Sequence, residues 1–496
     1  MKYKMISLTL NSSEFFPILI IPVFENENLQ KQLNEICEGI GFEQHILYAD
    51  FKGKSKECVI GLTKTNQKVF FLGMGNGKNP AEISAIFRSF FNRNKDNFKG
   101  DISIFLHNTN LVELTADITQ GIFLGEYQIA KLKTGQKESN TFYNSSSKIN
   151  FQVNGDKDIK ELLEIGRSLA ETQMKIMEWV DTPANYKTPQ MMAEWIQESG
   201  KENGFEVNVF DKDACEEIGL KALLAVGKGS VENPPVFVVM EYRHPNANKT
   251  IGLIGKGVTF DTGGVSLKPG DNMNYMKCDM GGAAAVIGAL EMTAKLRLAV
   301  NMVVAVPFTE NCIDSLSIKP GDVIGSYSGK TIEVINTDAE GRLILADALA
   351  YVKKNHNPDM MIDLATLTGN CIQSLGYAAA ALLSNNDDLA NSILASSQKT
   401  GEKTWRMPLW DDYKDMMKSD VADIKNLSSA PVAGAITAAK FLEEFIDGHT
   451  SWAHLDIAGV AFCDSEYGSM KSATGYGVKL LLHFIQNVIS SDSKIN

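Results

Sequence analysis

The sequence predicts an α/β protein: a small N-terminal α/β domain and a larger C-terminal α/β domain, the latter with a mostly parallel sheet flanked by helices. Three observations predict it. At 496 residues the chain exceeds one ordinary domain. From about residue 186 strand-like and helix-like runs alternate, the pattern of a parallel sheet covered by helices. Between them, from Gln136 to Gly155, the chain turns polar (QKESNTFYNSSSKINFQVNG), which marks a boundary. The expected division is 1–155, a connecting helix within 156–185, and 186–496.

The N-terminal run Phe16 to Phe24 is apolar and follows Lys2 and Lys4. Pro17 and Pro22 interrupt it and no small-residue cleavage site follows, so a strand pair is expected rather than a signal peptide. KVFFLGMG and DISIFLH read as further strands, and PAEISAIFRSFFNR as a helix. GMGNG, Gly73 to Gly77, lacks the full G-x-G-x-x-G pattern and reads as a turn. Residues 158–180 place apolar side chains at helical spacing, and TPANYKTPQ ends that helix with two prolines. PVFVVMEY, TIGLIGKG, NMVVAVPF and DMMIDLAT then read as strands. GGAAAVIGALEMTAKL, LILADALAYVKK and GAITAAKFLEEFI read as helices. No run has the length of a membrane span.

The net charge of −12 and pI near 5.2 disfavour nucleic acid or an anionic membrane as main partner. Seven scattered cysteines with no C-x-x-C oppose a disulfide framework or a cysteine zinc site, and favour a reducing compartment. Seven scattered histidines include no H-E-x-x-H. Any metal must therefore be held mainly by oxygen.

The stretch Ile254 to Val286 offers Lys256, Asp261, Lys268 and Asp279 among seven glycines. A second stretch, NTDAEGRL at Asn336 to Leu343, follows a strand TIEVI and precedes a helix; it offers Asp338, Glu340 and Arg342. Alone, it is an ordinary strand-to-helix turn, with Asp338 as cap and Glu340 complementing the helix dipole. A phosphate loop at GKG fails, because Gly rather than Ser or Thr follows Lys256. Crowded carboxylates resist ionising unless cations lie between them. Asp261, Asp279, Asp338 and Glu340 together suit two divalent ions roughly 3.5–4 Å apart, a hydrolytic arrangement.

NTDAEGRL, GKGVTFDTGG, SLKPG and MKCDMGGAAA resemble the leucine aminopeptidase (cytosol aminopeptidase) family. DTPANYKTP, VGKGSVENPP, ATLTG, TWRMPL, AGAITAAKFL, WAHLDIAG and ATGYGVKLL extend the resemblance from about residue 180 to the C-terminus. It implies a metallopeptidase domain whose metal ligands are Lys256, Asp261, Asp279, Asp338 and Glu340, with Asp261 and Glu340 bridging. A lysine ligand must be neutral, and neighbouring dications with partial burial are expected to depress the pKa of Lys256 enough. Lys268 and Arg342 are the implied catalytic pair, Lys268 on the scissile carbonyl and Arg342 on a bicarbonate that shuttles protons. The pocket for the first residue is expected from Lys268, Met276, Thr366, Leu367 and Gly369, suited to leucine and other apolar side chains. Cys278 is expected to be a packing cysteine. The resemblance further implies two ions per subunit (Mn²⁺ or Zn²⁺, with Mg²⁺ or Co²⁺ as substitutes), peptide substrates, a cytoplasmic location and a hexamer. The alternatives are a non-catalytic peptide-binding protein and an additional nucleic-acid-binding role.

Overall fold

A computed structural model describes residues 6–492 apart from 44–46, 48–49, 78–79, 130–131, 135–141, 145 and 156. Lys2, Lys4 and part of the polar stretch that begins at 136 lie outside the described residues. By contacts the chain forms two compact units: Met1–Met174 with Glu466–Gly468, and Lys175–Ser465 with Ser469–Asn496. The division falls inside the helix Lys160–Asp181, which starts two residues after and ends one residue beyond the helical run read at 158–180.

The first unit holds a six-stranded sheet. Its strands are β1 (Ser7–Leu10), β2 (Ile18–Val23), β3 (Cys58–Leu62), β4 (Lys68–Gly73), β5 (Ile102–Leu106) and β6 (Lys148–Val153), in the order β1-β6-β5-β2-β4-β3. All pairs are parallel except β3 with β4. The N-terminal stretch up to Phe24 does form two strands, β1 before the apolar run and β2 within it, yet they are not partners. Every residue of β2 is buried, so it takes a place between β4 and β5, whereas the half-exposed β1 sits at the edge on β6. The polar boundary stretch ends in β6, whose Ile149, Phe151 and Val153 are buried.

The second unit continues with β7 (Glu206–Phe210), β8 (Val236–Tyr242), β9 (Thr250–Gly255), β10 (Gly257–Asp261), β11 (Asn301–Asn311), β12 (Val323–Gly325), β13 (Thr331–Glu333), β14 (Met360–Ala365), β15 (Ala380–Ser384), β16 (Thr404–Arg406), β17 (Ile424–Lys425) and β18 (Trp452–Asp456). The main sheet has the order β16-β15-β18-β14-β9-β11-β8-β7, with β10 on β11. Its centre, β18-β14-β9-β11, is parallel, and antiparallel pairs appear towards the edges. The central strands are nearly continuous apolar runs, as strands covered on both faces must be. TIEVI is a strand only over its first three residues. It belongs to a small separate sheet, β12-β13-β17, rather than to the buried main sheet.

One irregularity positions the site. β11 pairs with β9 up to Ala305 and with β10 from Phe308, so the break between β9 and β10 falls at Lys256. Pro307, which has no N–H to offer, lies in β11 beside this break. The Lys256 backbone instead bonds elsewhere: its N–H donates to Leu364 O, and its carbonyl accepts from Ala283 N. Helices Gly281–Lys295 and Glu340–Asn355 start beside this break and pack on β9 and β11.

Candidate metal centre

All four carboxylates and both lysines meet in one cluster. Asp261 ends β10, and Asp279 follows the 3₁₀ turn Met273–Cys278. Asp338 lies in the loop after β13, and Glu340 is the first residue of its helix. The reading of Asp338 as a helix cap fails, because the capping position is Ala339 and carries no side-chain bond. Asp338 is engaged instead by Lys268. Carboxylate oxygens of Asp261, Asp338 and Glu340 lie within 4.8 Å of one another.

The lysines divide the cluster. Lys256 Nζ lies 2.7 Å from Asp279 Oδ2, 2.9 Å from Glu340 Oε1 and 3.0 Å from Thr366 O. Lys268 Nζ lies 2.8 Å from Asp261 Oδ2 and also pairs with Asp338 Oδ1. The local turns are made for this approach. Gly263 has φ +86°, and a Cβ there would come 2.9 Å from Asp338 Oδ1. A Cβ on Gly341 would meet Lys256 Cε at 2.5 Å.

Burial raises the pKa of Asp279 and Glu340, each further pushed up by Asp261, while the lysines oppose the rise. Asp338 is raised by burial and by Asp261. Burial pulls the Lys256 pKa down, while Asp279, Glu340 and Asp261 push it up and outweigh burial; the neutral amine expected of a ligand needs dications beside it as well as burial. Burial also pulls the Lys268 pKa down, and Asp261, Glu340 and Asp279 outweigh it and hold the ammonium charged.

The cluster fits divalent cations. Glu340 is 1% exposed, and its Oε2 has no hydrogen-bond partner among the described residues, an expensive state for a buried carboxylate oxygen. The donor set, four carboxylates and one amine, is the hard, oxygen-rich type that such ions favour. Arg342 also fits a small anion. It is 4% exposed, its Nη1 donates to Asn426 O at 2.8 Å, and its Nε has no hydrogen-bond partner among the described residues. Burial lowers its pKa to about 10.

The residues expected around the substrate are partly tied to the cluster. Thr366 donates Oγ1 to Asp279 Oδ1 at 2.7 Å. Leu367 packs in part against the core and donates its N–H to Asp456. Met276 lies in the turn before Asp279, half-buried, and Gly369 is exposed at a helix start. Cys278 is half-buried, and burial pushes its thiol up to about 12.

Two residues escaped the sequence reading. Asn311 donates Nδ2 to Asp261 Oδ1 at 2.8 Å and to Thr337 O at 3.1 Å. Asn426, fully buried, accepts from Ile335 N and donates to Asn336 O, so it fixes the start of NTDAEGRL. Asn311 had a signal, a polar residue closing an apolar strand. Asn426, in an unremarkable loop, had none.

Residues 175–482 match the model of the cytosol aminopeptidase family, catalytic domain. A probable cytosol aminopeptidase of Chlorobium phaeobacteroides is 42% identical over 488 residues, covering 95% of this chain and 96% of that protein. One from Geobacter sp. is 44% identical over 387 residues, 76% of each protein. A solved structure of a tomato leucine aminopeptidase mutant is similar with TM-score 0.84 and 31% identity, covering 97% of both chains. Bottromycin maturation enzyme BotP in complex with Mn is similar with TM-score 0.83 and 28% identity, covering 96% of this chain and 100% of that one.

Proposed function

Because this chain belongs to the cytosol aminopeptidase family and is a peptidase, a hydrolase of peptide bonds, we propose that it is a metal-dependent aminopeptidase releasing N-terminal residues, leucine and other apolar ones preferred. The observation that carries the metal reading is the cluster of Asp261, Asp338 and Glu340, with Asp279 joined to it through Lys256 and Glu340 Oε2 buried without a hydrogen-bond partner among the described residues. Lys256, Asp261, Asp279, Asp338 and Glu340 are the proposed ligands for two ions, Mn²⁺ or Zn²⁺. Bound ions would acidify the attacking water and polarise the scissile carbonyl.

The chain's own residues do the rest. Lys268, held charged, donates to the carbonyl oxygen and gains strength as negative charge develops there. Arg342 presents its Nε–H, unpartnered among the described residues, to a small oxyanion; bicarbonate there would supply a proton acceptor. Met276, Thr366, Leu367 and Gly369 form the proposed wall for the first side chain. The assembly is a proposed hexamer. It is supported by exposed apolar side chains, among them Val231, Leu316 and Val323, which line a cavity of about 630 Å³. No described helix is long and apolar enough to cross a membrane, and relatives are named as cytosol enzymes, so we place the protein in the cytoplasm. The family match gives no support to a nucleic-acid-binding or non-catalytic role.

Metal analysis of the purified protein, run beside hydrolysis of leucine p-nitroanilide, tests the reading. Chelation is expected to abolish hydrolysis and Mn²⁺ or Zn²⁺ to restore it. Full activity after verified removal of all metal overturns it.

A further inference from the structure

The structure assigns Asn311 the role of a positioning residue that orients the Asp261 carboxylate and sets the Asp338 loop against it; this rests on the two-metal reading above. Asn311 is the last residue of β11, is 2% exposed, and is the register partner of Asp261 on β10. Its side-chain amide has two hydrogens, and both are used. One meets Asp261 Oδ1 at 2.8 Å, the other Thr337 O at 3.1 Å. The opposite amide orientation would aim Oδ1 at a carboxylate and a carbonyl, which the partners forbid.

Asp261 Oδ1 accepts a second bond, from Gly263 N at 2.9 Å. That oxygen is therefore occupied, and Oδ2 is left as the oxygen facing the cluster, 2.8 Å from Lys268 Nζ. Thr337 is the residue before Asp338, and its Oγ1 donates back to Gly263 O at 2.6 Å. The Asn311 carbonyl accepts from Thr262 N at 2.9 Å and from Thr262 Oγ1 at 2.8 Å. One buried amide thus joins the two segments that carry Asp261 and Asp338, and its chemistry is specific. An aspartate of the same shape has no hydrogen for either acceptor and sets charge against charge.

Mn²⁺ titration of the wild-type protein, Asn311→Asp and Asn311→Ala by calorimetry tests this, with melting temperatures recorded with and without Mn²⁺. The expected result is Mn²⁺ binding weakened about 10–100-fold, the range for residues that orient metal ligands. Asn311→Asp should be the weaker binder, and kcat should fall more than KM rises. Asn311→Ala removes the donor without adding charge, so it decides the matter if Asn311→Asp does not fold. A purely structural role would lower both melting temperatures alike and leave Mn²⁺ affinity unchanged; that result in a folded variant overturns the assignment. A wild-type protein that binds no Mn²⁺ overturns the two-metal reading itself.

Discussion

At Lys256 the side chain is 4% exposed and its ammonium has three partners, whereas Lys268 keeps 22% exposure and two. The two lysines should therefore fail differently. Lys268→Ala leaves every proposed ligand in place, so metal content should hold while turnover falls roughly 10²–10³-fold, as on loss of one oxyanion donor. Lys256→Ala removes a ligand, so metal content should drop and excess metal should partly restore turnover. Metal content and turnover of both variants check this; the opposite pattern reverses the assignment. Asp347 shows what a buried carboxylate does without such a cluster. Its Oδ2 accepts from Ala222 N and Leu223 N, and its Oδ1 from Tyr327 N. Asn has one acceptor oxygen for three donors, so Asp347→Asn should cost about 1–3 kcal/mol in chemical denaturation.

Elements were easier to read than their ends. The helix read from LILADALAYVKK begins earlier, at Glu340, because three residues of the motif already have helical geometry. Glu340 in that first turn meets the positive end of the helix dipole, so the bland reading held for it while failing for Asp338. The helix is buried on nearly all sides, and Leu345 is fully buried. Leu345→Ala should cost about 2–5 kcal/mol, read as a shifted denaturation midpoint. The start of the helix Val478–Asp492 carries a different device. Glu402 Oε2 accepts from Gly477 N at 3.1 Å and Leu480 N at 2.8 Å, and burial pushes its carboxyl up to about 7. The folded chain then holds that proton more tightly than the unfolded one, whose glutamate titrates near about 4.3. Its contribution to stability is complete below that value and is lost as pH rises to about 7. Glu402→Gln keeps one acceptor oxygen for both N–H groups. Its melting temperature relative to wild type should therefore climb from pH 5 to pH 7, and a pH-independent difference refutes the account.

For the whole molecule the exposed apolar side chains are the informative feature. Val231, Leu316 and Val323 are exposed and line one cavity, and Trp405 and Trp410 are exposed elsewhere; they are the surface to test for burial in the proposed hexamer. Sedimentation at micromolar concentration should show an assembly of six 54.4 kDa chains, and a stable monomer would contradict the hexamer.

By itself the sequence determined the α/β class, the parallel core of the main sheet and the identity of the charged cluster. Those are local matters: apolar runs such as NMVVAVPF need cover on both faces, and carboxylates spaced through glycine-rich loops carry their chemistry wherever they fold. Only the tertiary structure decided that β1 and β2 are separated, that β13 leaves the main sheet, and that Lys256 sits where β9 breaks from β10. It also decided which carboxylate oxygen is free. Asp261 Oδ1 is taken by Asn311 from a strand 50 residues away, and Asp279 Oδ1 by Thr366 from 87 residues away. Hydrogen bonds between such distant partners leave no periodicity or spacing in the chain. They exist because the parallel centre of the sheet brings the strand ends to one place.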